Sequence, residues 1–228
     1  MTNAKTLGAS HAAHPLRALA SLGTVLATIG LAGLLAAHFG LRFMVTPSLP
    51  LGVYRTVGGP PMRGAIVMAC LPEPAARLAL ERGYLWSGAC PSGAVPLGKV
   101  VLAVAGDSLT LGPEGIRVNG CAVPKSQPRK RDSQGRLLEH YPYGSYVLAR
   151  GEVWLFSPYH PLSFDSRYFG PVSDAGVLSL LVPVWTPGTA SSLPRSSHSL
   201  RTGSHCAGRL GAAPLNQLQR QQVRDLRP

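Results

Sequence analysis

The sequence predicts a mostly β fold carried behind a single apolar N-terminal helix. Three observations lead there. Short apolar segments of strand length, rich in Val, Leu and Ile, recur between residues 52 and 183. The breaks between them fall at glycine and proline, of which the 228-residue chain holds 26 and 21. In the body only Pro74–Gly83 has the composition of a helix, and Ala18–Ala37 is the one long uncharged run. Many short strands with one helix and many turns pack as sheet around a core.

Residues 1–16 read as a short polar lead on the cytoplasmic side. Twenty helical residues rise about 30 Å, the thickness of the hydrocarbon core of a bilayer. Ala18–Ala37 therefore predicts a transmembrane anchor over 17–41. A cleaved signal peptide is the alternative, with Ala36-Ala37 in its cleavage site, but signal h-regions are shorter, roughly 7–15 residues. Lys5, Arg17 and the amino terminus precede the run and Arg42 follows it, a bias that puts the body outside the cytoplasm.

Gly52–Val57 reads as a strand, stopped by Gly58-Gly59-Pro60-Pro61, and Gly64–Cys70 as a second. The helix over Pro74–Gly83 has Pro in its first turn and Gly at its end. Leu97–Ala105 is a strong strand that turns at Gly106-Asp107. Ser108–Leu111 and Ile116–Val118 form a hairpin, and Asn119-Gly120 marks the next turn. Lys125–Leu137, carrying Arg129-Lys130-Arg131, reads as a solvated loop, and Tyr141–Tyr146 as an aromatic, Gly/Pro-punctuated stretch. Glu152–Ser157 and Ser179–Pro183 are the last strands. From residue 187 on, Ser, Gly, Pro and Arg dominate. Such a segment buries too little apolar surface to offset its ordering entropy, which predicts a disordered basic tail over 187–228 and a folded domain over 42–186.

The formal net charge of +12 first suggests a nucleic-acid partner. Between Met44 and Thr186, however, 13 Lys and Arg face 9 Asp and Glu, while the tail adds six Arg against Asp225 alone. The excess lies in the ends rather than on a folded face, so no nucleic acid is expected, and a mildly basic body suits anionic lipid. Of four cysteines, Cys70 and Cys90 flank the short helix and are the expected pair, worth about 3 kcal/mol on the chain-entropy model. Cys121 and Cys206 are harder to pair, because Cys206 falls in the tail. There is no Cys-x-x-Cys, and the seven His lack metal-ligand spacing, so neither metal nor cofactor is expected.

Three segments carry the chemistry. Thr46-Pro47-Ser48-Leu49-Pro50-Leu51-Gly52-Val53-Tyr54 begins within ten residues of the anchor. Pro96-Leu97-Gly98-Lys99-Val100-Val101 leads to Ala105-Gly106-Asp107, and Ser163-Phe164-Asp165-Ser166-Arg167-Tyr168-Phe169-Gly170 comes last. Each has a plain explanation alone: a rigid Pro-flanked loop, an edge-strand lysine, a structural ion pair. Their joint occurrence, in this order behind an anchor, gives them weight.

Together the segments resemble the signature boxes of the signal peptidase I superfamily, and most closely its conjugative-transfer, TraF-type, pilin-processing branch. Pro47–Tyr54 matches that branch's Pro-Ser-x-Pro-x-Gly-x-Tyr, Lys99–Asp107 its Lys box, and Ser163–Gly170 its Ser-x-Asp-Ser-Arg-Tyr-Phe-Gly. A Cys pair ahead of the Lys box also fits. Val104-Ala105 stands where a Pro is commoner before the Gly-Asp, a departure that bears on turn rigidity.

The resemblance implies an antiparallel β-sheet catalytic domain of the signal-peptidase type, held as a single pass in a bacterial inner membrane and facing the periplasm. Its substrates would be membrane-held pre-proteins or a conjugative pilin cut after small side chains, with other conjugation or secretion components as further partners. Ser48 would be the nucleophile and Lys99 its general base. Thr46 and the Ser48 N–H would hold the oxyanion. Ser163 would orient the lysine, Arg167 would pair with Asp165, and Asp165 would itself be a further catalytic residue.

A lysine can act as base only when neutral, so Lys99 must be buried with no carboxylate in contact. Its neighbours Leu97, Val100, Val101 and Leu102 are consistent with that. Two other readings stay open: a housekeeping signal peptidase trimming many exported proteins, and a non-catalytic, membrane-anchored assembly protein.

Overall fold

The computed structural model describes residues 13–187. Most of the expected lead, the tail from residue 188 and Cys206 lie outside the described residues. The chain divides between Arg42 and Phe43 into an N-terminal unit and a body.

The N-terminal unit is a helix, α1 (Ala13–His38), four residues earlier in its start than the expected anchor and three earlier in its end. Leu19–His38 is long and apolar enough to cross a membrane, with a mean hydropathy of 2.0. The hydroxyls of Thr24 and Thr28 donate back to the carbonyls of Ala20 (2.9 Å) and Val25 (2.8 Å), so neither brings an unpaired donor into the apolar run.

The body is built of short strands. β1 (Leu41–Met44), β2 (Gly52–Val57) and β3 (Ile66–Ala69) lead to helix α2 (Glu73–Glu81). β4 (Leu97–Val104), β5 (Ser108–Gly112), β6 (Gly115–Val118), β7 (Cys121–Ala122), β8 (Gly144–Val147) and β9 (Glu152–Phe156) follow. A one-turn helix α3 (Ser166–Phe169), β10 (Val172–Ser173) and β11 (Val177–Trp185) complete it. A seven-stranded sheet has the order β1-β2-β11-β3-β4-β9-β10, and a four-stranded sheet the order β7-β6-β5-β8. The assigned pairings are antiparallel. The last strand, β11, lies inside the large sheet, with Leu180 opposite both Val57 of β2 and Val67 of β3.

Strand periodicity explains the core. Along β4, Leu97, Lys99, Val101 and Ala103 are buried while their neighbours are half-buried, the period of two that a strand imposes. Val101 packs with Val67, Leu155 and Leu180 at the centre of the large sheet. The small sheet supplies Leu109, Leu111, Ile116 and Val118 to a second cluster with Trp154 and Phe156. Asn119 and Gly120, at φ 51° and 81°, make the tight turn between β6 and β7 that the Asn-Gly pair requires. Cys70 and Cys90 form a disulfide across the α2 insert.

The Lys125–Leu137 segment departs from a solvated loop. Arg129, Lys130 and Arg131 are exposed, but Ser126 is fully buried. Its hydroxyl accepts the Ile116 N–H at 2.8 Å and donates to the Val123 carbonyl at 2.6 Å. Asp132 accepts the Tyr84 hydroxyl at 2.6 Å and Arg136 Nε at 2.7 Å. Local composition could not reveal partners this distant.

Candidate active site

Ser48 sits in the turn between β1 and β2, half-buried. The prolines at 47 and 50 restrict this turn, and two side chains dock it. Leu49 is 2% exposed and lies against Gly98, where a Cβ would approach Leu49 Cδ1 to 2.6 Å. Only a glycine next to Lys99 lets the neighbour of Ser48 pack there. The buried Tyr54 donates its hydroxyl to the Pro50 carbonyl at 2.8 Å.

Ser48 Oγ lies 3.3 Å from Ser163 Oγ. The Ser48 carbonyl accepts the hydroxyl of Ser157 at 2.6 Å. Ser157 follows β9 directly, is 2% exposed, and donates its N–H to Asp165 Oδ2 at 3.2 Å. Asp165 caps α3 and takes Arg167 in a fork, from Nε at 2.8 Å and Nη2 at 2.9 Å. Arg167 also donates to the carbonyls of Ser163 and Gln127, both at 3.1 Å, and its guanidinium lies over the Phe156 ring. Ser163, Asp165, Ser166 and Arg167 are all buried.

Lys99 projects from β4 and is 3% exposed. Burial pushes its ammonium down to about 8; nearby Asp165 pulls it up and Arg167 pushes it down. Among the described residues, no carboxylate lies within ion-pair distance of Lys99. The nearest carboxylate influence is therefore Asp165, already engaged by Arg167. No hydrogen bond between Lys99 and Ser48 is present among the described residues, and Thr46 is exposed with no bond to Ser48.

A family model described as signal peptidase, peptidase S26, matches residues 19–185. The chain belongs to this signal peptidase family. Among its relatives, the plasmid transfer protein TraF of Escherichia coli is 38% identical over 167 residues, covering 72% of this chain and 94% of that protein. The probable conjugal transfer protein TraF of Sinorhizobium fredii (strain NBRC 101917 / NGR234) is 41% identical over 170 residues, covering 72% and 88%. Of solved structures, a signal peptidase I from Enterococcus faecalis V583 is similar at 17% identity and a TM-score of 0.33, over 55% of this chain and all of that one.

Within this S26 domain the three boxes thus meet around one turn: Ser48 against Ser163, and Asp165 and Arg167 close enough to act on Lys99. Sequence reasoning gave no role to Ser157, Tyr54 or Gly98. Tyr54 and Gly98 lie inside quoted boxes, where fixed spacing was a usable signal. Ser157 carried only its place at a strand end before Pro158.

Proposed function

We propose that the chain is a membrane-anchored serine endopeptidase in which Ser48 and Lys99 form a nucleophile–base dyad. The observation that carries this is a lysine buried on a strand face, lowered to about 8 and free of any ion pair among the described residues. At that value roughly 9% is neutral at pH 7, against about 0.04% for an ordinary lysine. Neutral Lys99 Nζ takes the Ser48 proton as Oγ attacks the scissile carbonyl. The Ser48 N–H and the Thr46 hydroxyl stabilise the oxyanion. The lysine then returns the proton to the leaving amine, and water, or an amine acceptor, resolves the acyl-enzyme.

Asp165, expected as a catalytic residue, acts here through Arg167 and Ser157 as a positioning group. Ser163 orients the Ser48 hydroxyl. α1 anchors the chain in the inner membrane with the body on the periplasmic side. Exposed Val45, Leu51, Val184 and Trp185 give the body an apolar rim near the Ser48 turn that suits a bilayer surface. Substrates tethered in the same membrane meet the turn at high effective concentration. The TraF names of the relatives support a conjugative pilin as substrate, with other transfer components as partners.

Cleavage of a membrane pre-protein containing Ala-x-Ala tests the dyad. Wild type should process it, and Ser48→Ala, Lys99→Ala and Lys99→Arg should not, because Arg keeps the charge without becoming a base. Processing by either alanine variant would refute the assignment. A pilin pre-protein processed in preference to a general exported one would fix the substrate class.

A further inference from the structure

We infer that Ser157 is a positioning residue for the proposed reaction, an inference that rests on the Ser48–Lys99 reading above. Three observations converge on it. Its hydroxyl donates to the backbone carbonyl of Ser48 across 109 residues of sequence, at 2.6 Å. Its N–H donates to Asp165 at 3.2 Å, tying it to the sealed Asp165–Arg167 fork. It directly follows Phe156, whose partner on β4 is Val100, the residue after Lys99.

A serine hydroxyl has one proton to give, and this one is committed to Ser48. Holding that carbonyl fixes ψ of Ser48, while the buried Leu49 fixes the residue after it. What remains free is the Ser48 side-chain rotamer, and Ser163 Oγ at 3.3 Å biases that. Ser157 therefore sets the direction from which Ser48 Oγ meets both substrate and base. Displacing a reacting group by about 1 Å costs on the order of 10²-fold in rate, so the loss of this bond should be read in kcat.

The test uses the full chain in detergent micelles with the Ala-x-Ala pre-protein, measuring kcat, KM and the pH profile for Ser157→Ala. The expected result is a kcat lower by about 10- to 100-fold at every pH, with KM unchanged and the profile midpoint where wild type has it. A kcat within about twofold of wild type overturns the inference. So does a midpoint moved toward the ordinary lysine value with kcat recovered at high pH, because Ser157 would then act only by keeping Lys99 dry. Should the alanine variant not fold, Ser157→Cys retains the size with a weaker donor. An intermediate kcat supports positioning, and a wild-type kcat overturns it. Ser48→Ala runs beside them: cleavage there ends the dyad reading, whereas its loss together with an unaffected Ser157→Ala ends this inference alone.

Discussion

Asp107 and Asp165 each hold an arginine, in surroundings that differ in one respect. Asp107, at the turn after β4, pairs with Arg63 and also accepts the Val104 N–H at 2.9 Å and the Asn119 amide at 2.9 Å. The Arg63 side chain is 25% exposed, so water screens the pair. Asp165 and Arg167 are 0% and 1% exposed. With no water to substitute, each charge there depends on the other, and their fields reach Lys99 with opposite sign. The same two residue types make a turn staple in one place and a source of opposing fields in the other. Burial makes the difference.

Arg167→Met would break the comparison most severely. It leaves the Asp165 carboxylate sealed and unpaired, at a cost of about 3–5 kcal/mol in urea unfolding. In whatever remains folded, Lys99 loses the charge that lowers its pKa and keeps the one that raises it. The activity midpoint should then move to higher pH.

Lys99→Met sharpens the comparison by removing the group on which the buried pair acts. The folded value of about 8 lies below the ordinary 10.5, so the unfolded chain holds the proton more tightly. Below pH 8 the native state carries the full cost of about 3 kcal/mol. Between pH 8 and 10.5 the native state sheds the proton first, so stability rises with pH across that window. Lys99→Met should be inactive, more stable by about 3 kcal/mol at pH 7, and flat over the same window. Stability measured by denaturant titration at pH 7 and 10 checks both points.

Arg63→Ala carries the smallest effect: about 1 kcal/mol, reduced further by salt, with the activity midpoint unmoved. A shift of that midpoint would mean that the Arg63–Asp107 pair also reaches the lysine.

Much of this was legible before any coordinates. Gly52–Val57 is a strand over the residues its composition marks, and Asn119-Gly120 turns as that dipeptide must. Leu97, Lys99, Val101 and Ala103 fall on one buried face, so the period of β4 alone argues that Lys99 faces inward. Box order brought out Ser48, Lys99 and Asp165 because their types and spacings are unusual together. What stayed hidden depends on long-range contact. The two-residue β10 and four-residue α3 are too short to show a period. The docking of Asp132 on Tyr84 spans 48 residues, and no local pattern encodes it. The Asp165–Arg167 pair was expected from the resemblance, but the link that Ser157 makes from that carboxylate to the Ser48 carbonyl, 109 residues away, was not.

The place of β11 has a consequence for when the protein can act. In the large sheet, β2 and β3 are not hydrogen-bonded to each other; β11 lies between them and pairs with both. The turn bearing Ser48 belongs to the β1-β2 edge, while Lys99 and Asp165 belong with β3, β4 and β9. A nascent chain emerges from its amino end, so the strand that unites the two halves arrives last, ending at Trp185. Until then the two reactive groups sit on separate pieces of sheet. On the proposed dyad, the order of synthesis leaves the site unassembled until β11 is in place.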